Sequence, residues 1–261
     1  MLSDILSPVL EEIYRSGVLI LGHRGALREA PENTLASFRK AMAQGAHGVE
    51  LDSKLTRDGH VVVIHDRTVD RTTDGKGRVA DLALSDLKRP DAGAWFSSRF
   101  SGEGVPTLDE VFETLPPEAI LNIELTNYGT IGDGLEARVA EVVRRHQAED
   151  RVILSSFHPL TLWAARRASA FPLALLTGIF NPLRLPNNWL APFVPHQLLH
   201  LHAPLVTSAF VERVHRQDRR LNVWFARDAG ESAGDLQSLA ALGVDGFITN
   251  APGLARGALS P

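Results

Sequence analysis

No cysteine occurs anywhere in the 261-residue chain. That excludes disulfides and thiolate metal sites, and leaves oxygen and imidazole as the ligands open to any metal. Nor is one sign of charge in excess: 27 Lys and Arg stand against 31 Asp and Glu, for a formal charge of -4 and a pI near 6.2. A broad nucleic-acid footprint needs clustered basic residues, so none is expected and phosphate recognition has to be local. Nowhere do 18 apolar residues run together, and the first residues lack the basic start and apolar stretch of a secretory signal. A soluble, cytoplasmic chain without stable membrane insertion is expected. At 44% hydrophobic and 22% charged residues it has apolar surface enough for a large core, and disorder is not expected.

What the chain does have is alternation. Leu2, Ile5, Leu6, Val9, Leu10, Ile13 and Tyr14 recur at helical spacing, with Asp4, Glu11 and Glu12 on the other side. Membrane-surface helices favour a basic polar face, so residues 1–17 are expected to pack on the bottom of the fold instead. β-rich runs follow at 18–22, 49–55, 61–65, 120–125, 152–157, 173–177, 199–202, 221–225 and 246–249, with room for helices between several of them. Asn33 reads as the N-cap of a helix over 34–44, which Gly45 closes. Such repetition leaves a closed barrel or an open doubly wound sheet. No Gly-rich phosphate loop follows the first run, which favours an α/β fold of the (α/β)8 TIM-barrel type, and 261 residues suit one such domain. Nine runs compete for eight barrel places, so one run lies outside the barrel. Residues 67–106 show turn chemistry and predict a small inserted cap after the third run. Residues 179–205 are Pro-rich, apolar and nearly uncharged, which raises an interfacial contact as one reading and plain packing as the other.

Chemistry gathers at the ends of the early runs. His23, Arg24 and Gly25 follow 18–22 directly, where active sites of barrels assemble. Along 49–55, Val49, Leu51 and Leu55 share one face while Glu50, Asp52 and Lys54 share the other. Should the apolar face meet the helices, the charged one points inward, where isolated charges are costly to desolvate. A divalent cation resolves that cost, because alternate strand residues rise roughly 6.6 Å and flexible carboxylates can share an ion. Glu124 repeats the pattern on 120–125, and His65 with Asp66 ends the apolar run from Val61. Two histidines and three inward carboxylates form one coherent candidate site.

The ordered motifs Leu21-Gly22-His23-Arg24-Gly25, Pro31-Glu32-Asn33-Thr34, Glu50-Leu51-Asp52, Thr56-Arg57-Asp58-Gly59 and His65-Asp66 resemble the glycerophosphodiester phosphodiesterase family. Arg71-Thr72-Thr73, Asn122-Ile123-Glu124 and Gly243-Val244-Asp245-Gly246 continue the likeness over about residues 18–252. The resemblance implies an (α/β)8 barrel with a small cap, a catalytic pair at His23 and His65, and metal ligands at Glu50, Asp52 and Glu124. It further implies a phosphate-binding Arg24 and a substrate-side Trp224. Thr126 stands where the family usually has lysine, and Lys54 is expected to replace that charge from the neighbouring strand. Asn250 stands where Asp is usual.

The expected reaction is metal-dependent hydrolysis of a small-molecule glycerophosphodiester to glycerol 3-phosphate and an alcohol. It uses one divalent cation, Mg2+ or Ca2+, and two imidazoles exchanging acid and base roles. Which histidine takes which role is not legible in the sequence. Lysophospholipase D activity and a non-catalytic phosphate-binding module are the rival expectations.

Overall fold

The computed structural model describes residues 6–127, 132–178, 193–227 and 230–259. Eight parallel strands form the wall: β1 (Leu19–His23), β2 (Gly48–Leu55), β4 (Ile120–Leu125), β5 (Val152–Ser156), β6 (Leu173–Thr177), β7 (Leu198–His202), β8 (Arg220–Trp224) and β9 (Gly246–Thr249). Neighbours in sequence pair in register around the ring, and β1 meets both β9 and β2, which closes the barrel. Helices cover the outside: α2 (Leu35–Ala43), α4 (Leu108–Thr114), α5 (Leu135–Arg145), α6 (Pro159–Ala168), α7 (Ser208–His215), α8 (Ala233–Ala241) and α9 (Pro252–Leu259). Their apolar faces meet the outward residues of the strands, for example Val49, Leu51, Leu121, Ile123 and Leu125, in one continuous core.

The run outside the barrel is β3 (Val61–Val63), which lies antiparallel to β2 and pairs Ser53 with Val63 and Leu55 with Val61. Gly59, at φ +81°, turns the chain between them, its N–H donating to the Thr56 carbonyl at 3.0 Å. Asp-Gly between two β-rich runs is a hairpin signal, and a hairpin cannot supply a parallel stave. The double-sided burial of this run therefore has another origin than parallel sheet structure. Val61 and Val63 face the main core, while Val62 and Ile64 join a separate small core with Val69, Val79, Leu87 and Val105. That small core belongs to the insertion 67–106, which carries α3 (Leu84–Leu87) and two 3-10 turns, Val79–Asp81 and Ser98–Phe100. In barrel terms the insertion separates the second stave from the third.

One local expectation changes. Thr34, not Asn33, is the N-cap of α2, its hydroxyl accepting from the Ser37 N–H at 3.3 Å. Asn33 instead adopts φ +57° and turns its side chain to the site. At the other end of α2, Gly45 does close the helix at φ +82°.

The barrel's floor is apolar. α1 (Pro8–Ser16) is capped by Ser7 and lays Leu10 and Tyr14, with Leu6 before it, against Leu19, Leu21, Ile120, Ile153, Ala174, Leu198 and Ile248. Val9 faces solvent, and Leu2 and Ile5 lie outside the described residues. Of the segment 179–205, residues 179–192 lie outside the described residues, Phe193 is exposed, and Leu198–His202 is strand β7. Among the described residues, no helix is long and apolar enough to cross a membrane.

Candidate active site

Position 23 ends β1, and the chain turns at once. Gly25 has φ +87°, and a Cβ there would sit 2.4 Å from the Ser37 hydroxyl, so only glycine lets this turn press on α2. The turn is fixed by three hydrogen bonds: the Ser37 hydroxyl and the Asn33 N–H donate to the Arg24 carbonyl, and the Arg24 N–H donates to Glu50 Oε2. Arg24 is held at φ +53°, with its guanidinium directed inward. Nη1 donates to Glu32 at 2.8 Å and Nε lies 3.3 Å from Asp52 Oδ2.

The carboxylates meet because the register brings them together. β2 pairs with β4 so that Asp52 faces Glu124 across the ladder, with Glu50 one step earlier on the same inner face. Glu50, Asp52 and Glu124 each offer an oxygen, all within 4.8 Å of one another. Glu50 and Asp52 are buried. Burial, then repulsion from Asp52 and Glu124, pushes the Glu50 carboxyl well up. For Asp52 burial acts upward too, but the Arg24 guanidinium and other cations hold it below the usual carboxylate range. Asn33 Nδ2 donates to Asp52 Oδ2 at 2.8 Å, while Asp52 Oδ1 is buried with no hydrogen-bond partner among the described residues. Three hard oxygen donors, one with an orphaned lone pair, fit a divalent cation.

The two histidines differ in their supports. His23 is buried, with Nδ1 2.7 Å from Asn250 Oδ1 and Nε2 4.0 Å from Glu50 Oε2. Asn250 gives its amide N–H to the Ala226 carbonyl, so its oxygen must accept from His23. The Nε2 lone pair of neutral His23 therefore faces the carboxylates. Burial, with Arg24 adding repulsion, lowers the His23 pKa to about 4. His65, by contrast, is half exposed, and its Nδ1 is 2.7 Å from the Asp66 carboxylate. Asp66 in turn accepts twice from Arg71, which also forks onto Glu32 at 2.8 and 3.0 Å. Glu32 thus ties together Arg24, Arg71 and, at 3.4 Å, Arg227. Burial would raise its pKa, but the Arg71 and Arg24 contacts hold it down to about 2. The sequence marked Glu32, Asp66 and Arg71 as motif residues without giving them a task; their partnership depends on distances that spacing along the chain does not contain.

One cavity of about 390 Å³ joins most of these groups. His23, Arg24, Glu50, His65 and Glu124 line one side; Phe157, Leu176, Trp224 and Ile248 line the other. Trp224 is fixed by its Nε1 donating to the Thr177 carbonyl at 3.1 Å and by the His202 ring 4.5 Å away. Of the predicted site residues, Asp52 does not line this cavity and neither does Lys54. Its ammonium donates to the Thr126 hydroxyl and carbonyl at 2.6 and 3.1 Å, and it borders a neighbouring pocket.

Comparison with known proteins gives the same reading from three directions. Residues 23–254 match the model of the glycerophosphoryl diester phosphodiesterase family. A glycerophosphodiester phosphodiesterase of Caldanaerobacter subterraneus subsp. tengcongensis is 37% identical over 236 residues, covering 90% of this chain and 94% of that one. One from Bacillus altitudinis is 34% identical, covering 89% and 94%. Among solved structures, a phosphodiesterase of Oleispira antarctica in complex with the product sn-glycerol-3-phosphate superposes with a TM-score of 0.83 at 27% identity, over 94% of this chain and 98% of that one.

Proposed function

The chain belongs to the glycerophosphoryl diester phosphodiesterase family, and from that membership we propose how its site carries out the reaction. The enzyme hydrolyses glycerophosphodiesters to glycerol 3-phosphate and an alcohol. A phosphodiester's negative charge repels nucleophiles, and an alkoxide leaves poorly without a proton. Glu50, Asp52 and Glu124 would hold a divalent cation, for which the all-oxygen donor set favours Mg2+ or Ca2+. When bound, the cation neutralises charge developing on the phosphoryl oxygens. Arg24 offers the same phosphate a planar fork, already oriented by Glu32 and Asp52.

The observation that carries the catalytic assignment is the difference between the two imidazole supports. Asn250 is neutral and donates nothing to His23, so His23 Nε2 is free to take the proton of the attacking oxygen. Asp66, held in place by Arg71, instead accepts from His65 Nδ1–H and fixes that ring on the cavity wall. His65 therefore delivers a proton to the departing alcohol. The attacking oxygen is water, or the neighbouring glycerol hydroxyl when the reaction proceeds through a cyclic phosphate. Replacing either histidine by Ala lowers turnover by about 10² to 10⁴. A p-nitrophenyl phosphodiester needs no acid, so it restores turnover to His65→Ala but not to His23→Ala; the reverse pattern exchanges the roles, and no loss in either variant removes both.

The apolar side of the cavity favours a second substrate as well. Phe157, Leu176, Trp224 and Ile248 suit the acyl glycerol of a lysophospholipid. Turnover of lysophosphatidylcholine micelles against glycerophosphocholine separates the two, and inactivity on micelles ends the lipid reading.

A further inference from the structure

Beside the catalytic cavity lies a second one, of about 340 Å³, between the barrel and the insertion. It begins where the carboxylates stop. Lys54 and Thr126 are two residues beyond Asp52 and Glu124 on the same inner faces, roughly 6.6 Å further along the strands. Its walls carry Lys54, Arg57, Arg67 and Arg78, against a single lining carboxylate, Asp133. The three arginines are only weakly compensated. The Arg57 guanidinium donates to a backbone carbonyl, that of Asp81, at 3.1 Å. Arg78 Nε lies 3.9 Å from Asp81 Oδ2, with both side chains more than half exposed, a pairing worth little in water. Arg67 forms no ion pair among the described residues. Lys54 is buried, and its ammonium gives protons to two oxygens of Thr126, so a third N–H is left for the cavity.

The geometry points to this cavity as a subsite for an anionic group on the leaving alcohol, a second phosphate above all. The inference rests on the phosphodiesterase reading and names a substrate class for it. With the glycerol against the apolar wall of Phe157 and Trp224, and the scissile phosphate at the carboxylates, the other half of the diester extends across β2 and β4 to Lys54. There it meets cations of the hairpin turn and of the insertion. A quaternary ammonium in the same place is repelled by them.

The test compares kcat/KM for bis(glycerophospho)glycerol, whose leaving group keeps a phosphodiester charge, with that for glycerophosphocholine. The anionic substrate is preferred by about tenfold, and the preference narrows as salt is raised. In the Arg67→Ala/Arg78→Ala double variant, whose changed side chains are exposed and leave the core intact, the ratio falls about five- to tenfold. A ratio near one in the unmodified enzyme, or an unaltered ratio in the double variant, overturns the subsite while leaving the enzyme a phosphodiesterase. Release of glycerol 3-phosphate from neither substrate overturns both.

Discussion

The floor and the mouth of this barrel are built on the same strands and obey opposite rules. At the floor the inward residues Leu21, Ile120, Ile153, Ala174 and Leu198 meet Leu10 and Tyr14 of the N-terminal helix and are sealed from water. Two to four residues further along, the inward positions are Glu50, Asp52 and Glu124, crowded within 4.8 Å. Between these layers sit polar groups: the Asn222 amide N–H groups meet the Tyr14 hydroxyl at 2.9 Å and His200 Nε2 at 3.2 Å, while both amide atoms of Asn122 and the Ser155 hydroxyl have no hydrogen-bond partner among the described residues. Stability is concentrated at one end of each strand and spent at the other, the usual separation in a barrel enzyme.

That contrast breaks most visibly at the mouth. Glu50→Gln keeps the shape and the acceptor for the Arg24 N–H, but removes one charge from the cluster. The expected outcome is a fall in kcat/KM of about 10³, or about 4 kcal/mol, with the melting temperature unchanged or raised because repulsion is relieved. A variant that loses activity only because it unfolds would refute the division. At the floor the signs reverse: Leu10→Ala destabilises the fold by about 2 to 5 kcal/mol through the cavity it leaves, while kcat/KM of the folded enzyme is retained.

A further effect is graded by pH and sharpens the view of the lower layers. Burial lowers the pKa of His200 to about 3 and that of His196 to about 4, the latter aided by Arg219. Both are neutral when folded. Below the unfolded-state value of about 6.5 the unfolded chain binds protons that the folded chain refuses. Their contribution is therefore complete above about pH 6.5 and is lost as pH falls through 4 and then 3, at a slope of up to about 1.4 kcal/mol per pH unit for each. Melting temperatures across that window check the sign, and His200→Gln flattens the acid side. A curve that is level from pH 6.5 to 4 rules out this role for both histidines.

Much of this was legible in the chain itself, for reasons that differ by element. A period of two along 49–55 and 120–125 is enough to place Glu50, Asp52 and Glu124 on one face, because strand geometry leaves the side chains no other choice. The helical period of the first residues likewise anticipated a floor helix, and Leu10 and Tyr14 take that place. β3 was harder, since an all-valine run is apolar on both faces whether it lies in a parallel sheet or between two cores; the Asp58-Gly59 turn was the local clue. Asn33 read as a cap because its type suits one, yet the adjacent Thr34 caps the helix and frees Asn33 for Asp52. Lys54 shares the inward face as expected, but its four-carbon stem carries the ammonium past the carboxylates to Thr126.

The sequence alone determined which strands exist, which of their faces carry charge, and that two imidazoles end the first and third runs, since these follow from local stereochemistry and short-range order. Tertiary structure decided what those groups touch. The chain that links Arg24, Glu32, Arg71, Asp66 and His65, the amide that sets the proton of His23, and the basic cavity beyond Lys54 each join residues far apart in number. Only closing the ring of strands brings them within hydrogen-bonding or electrostatic range, and those distances, not residue types, give each histidine its role.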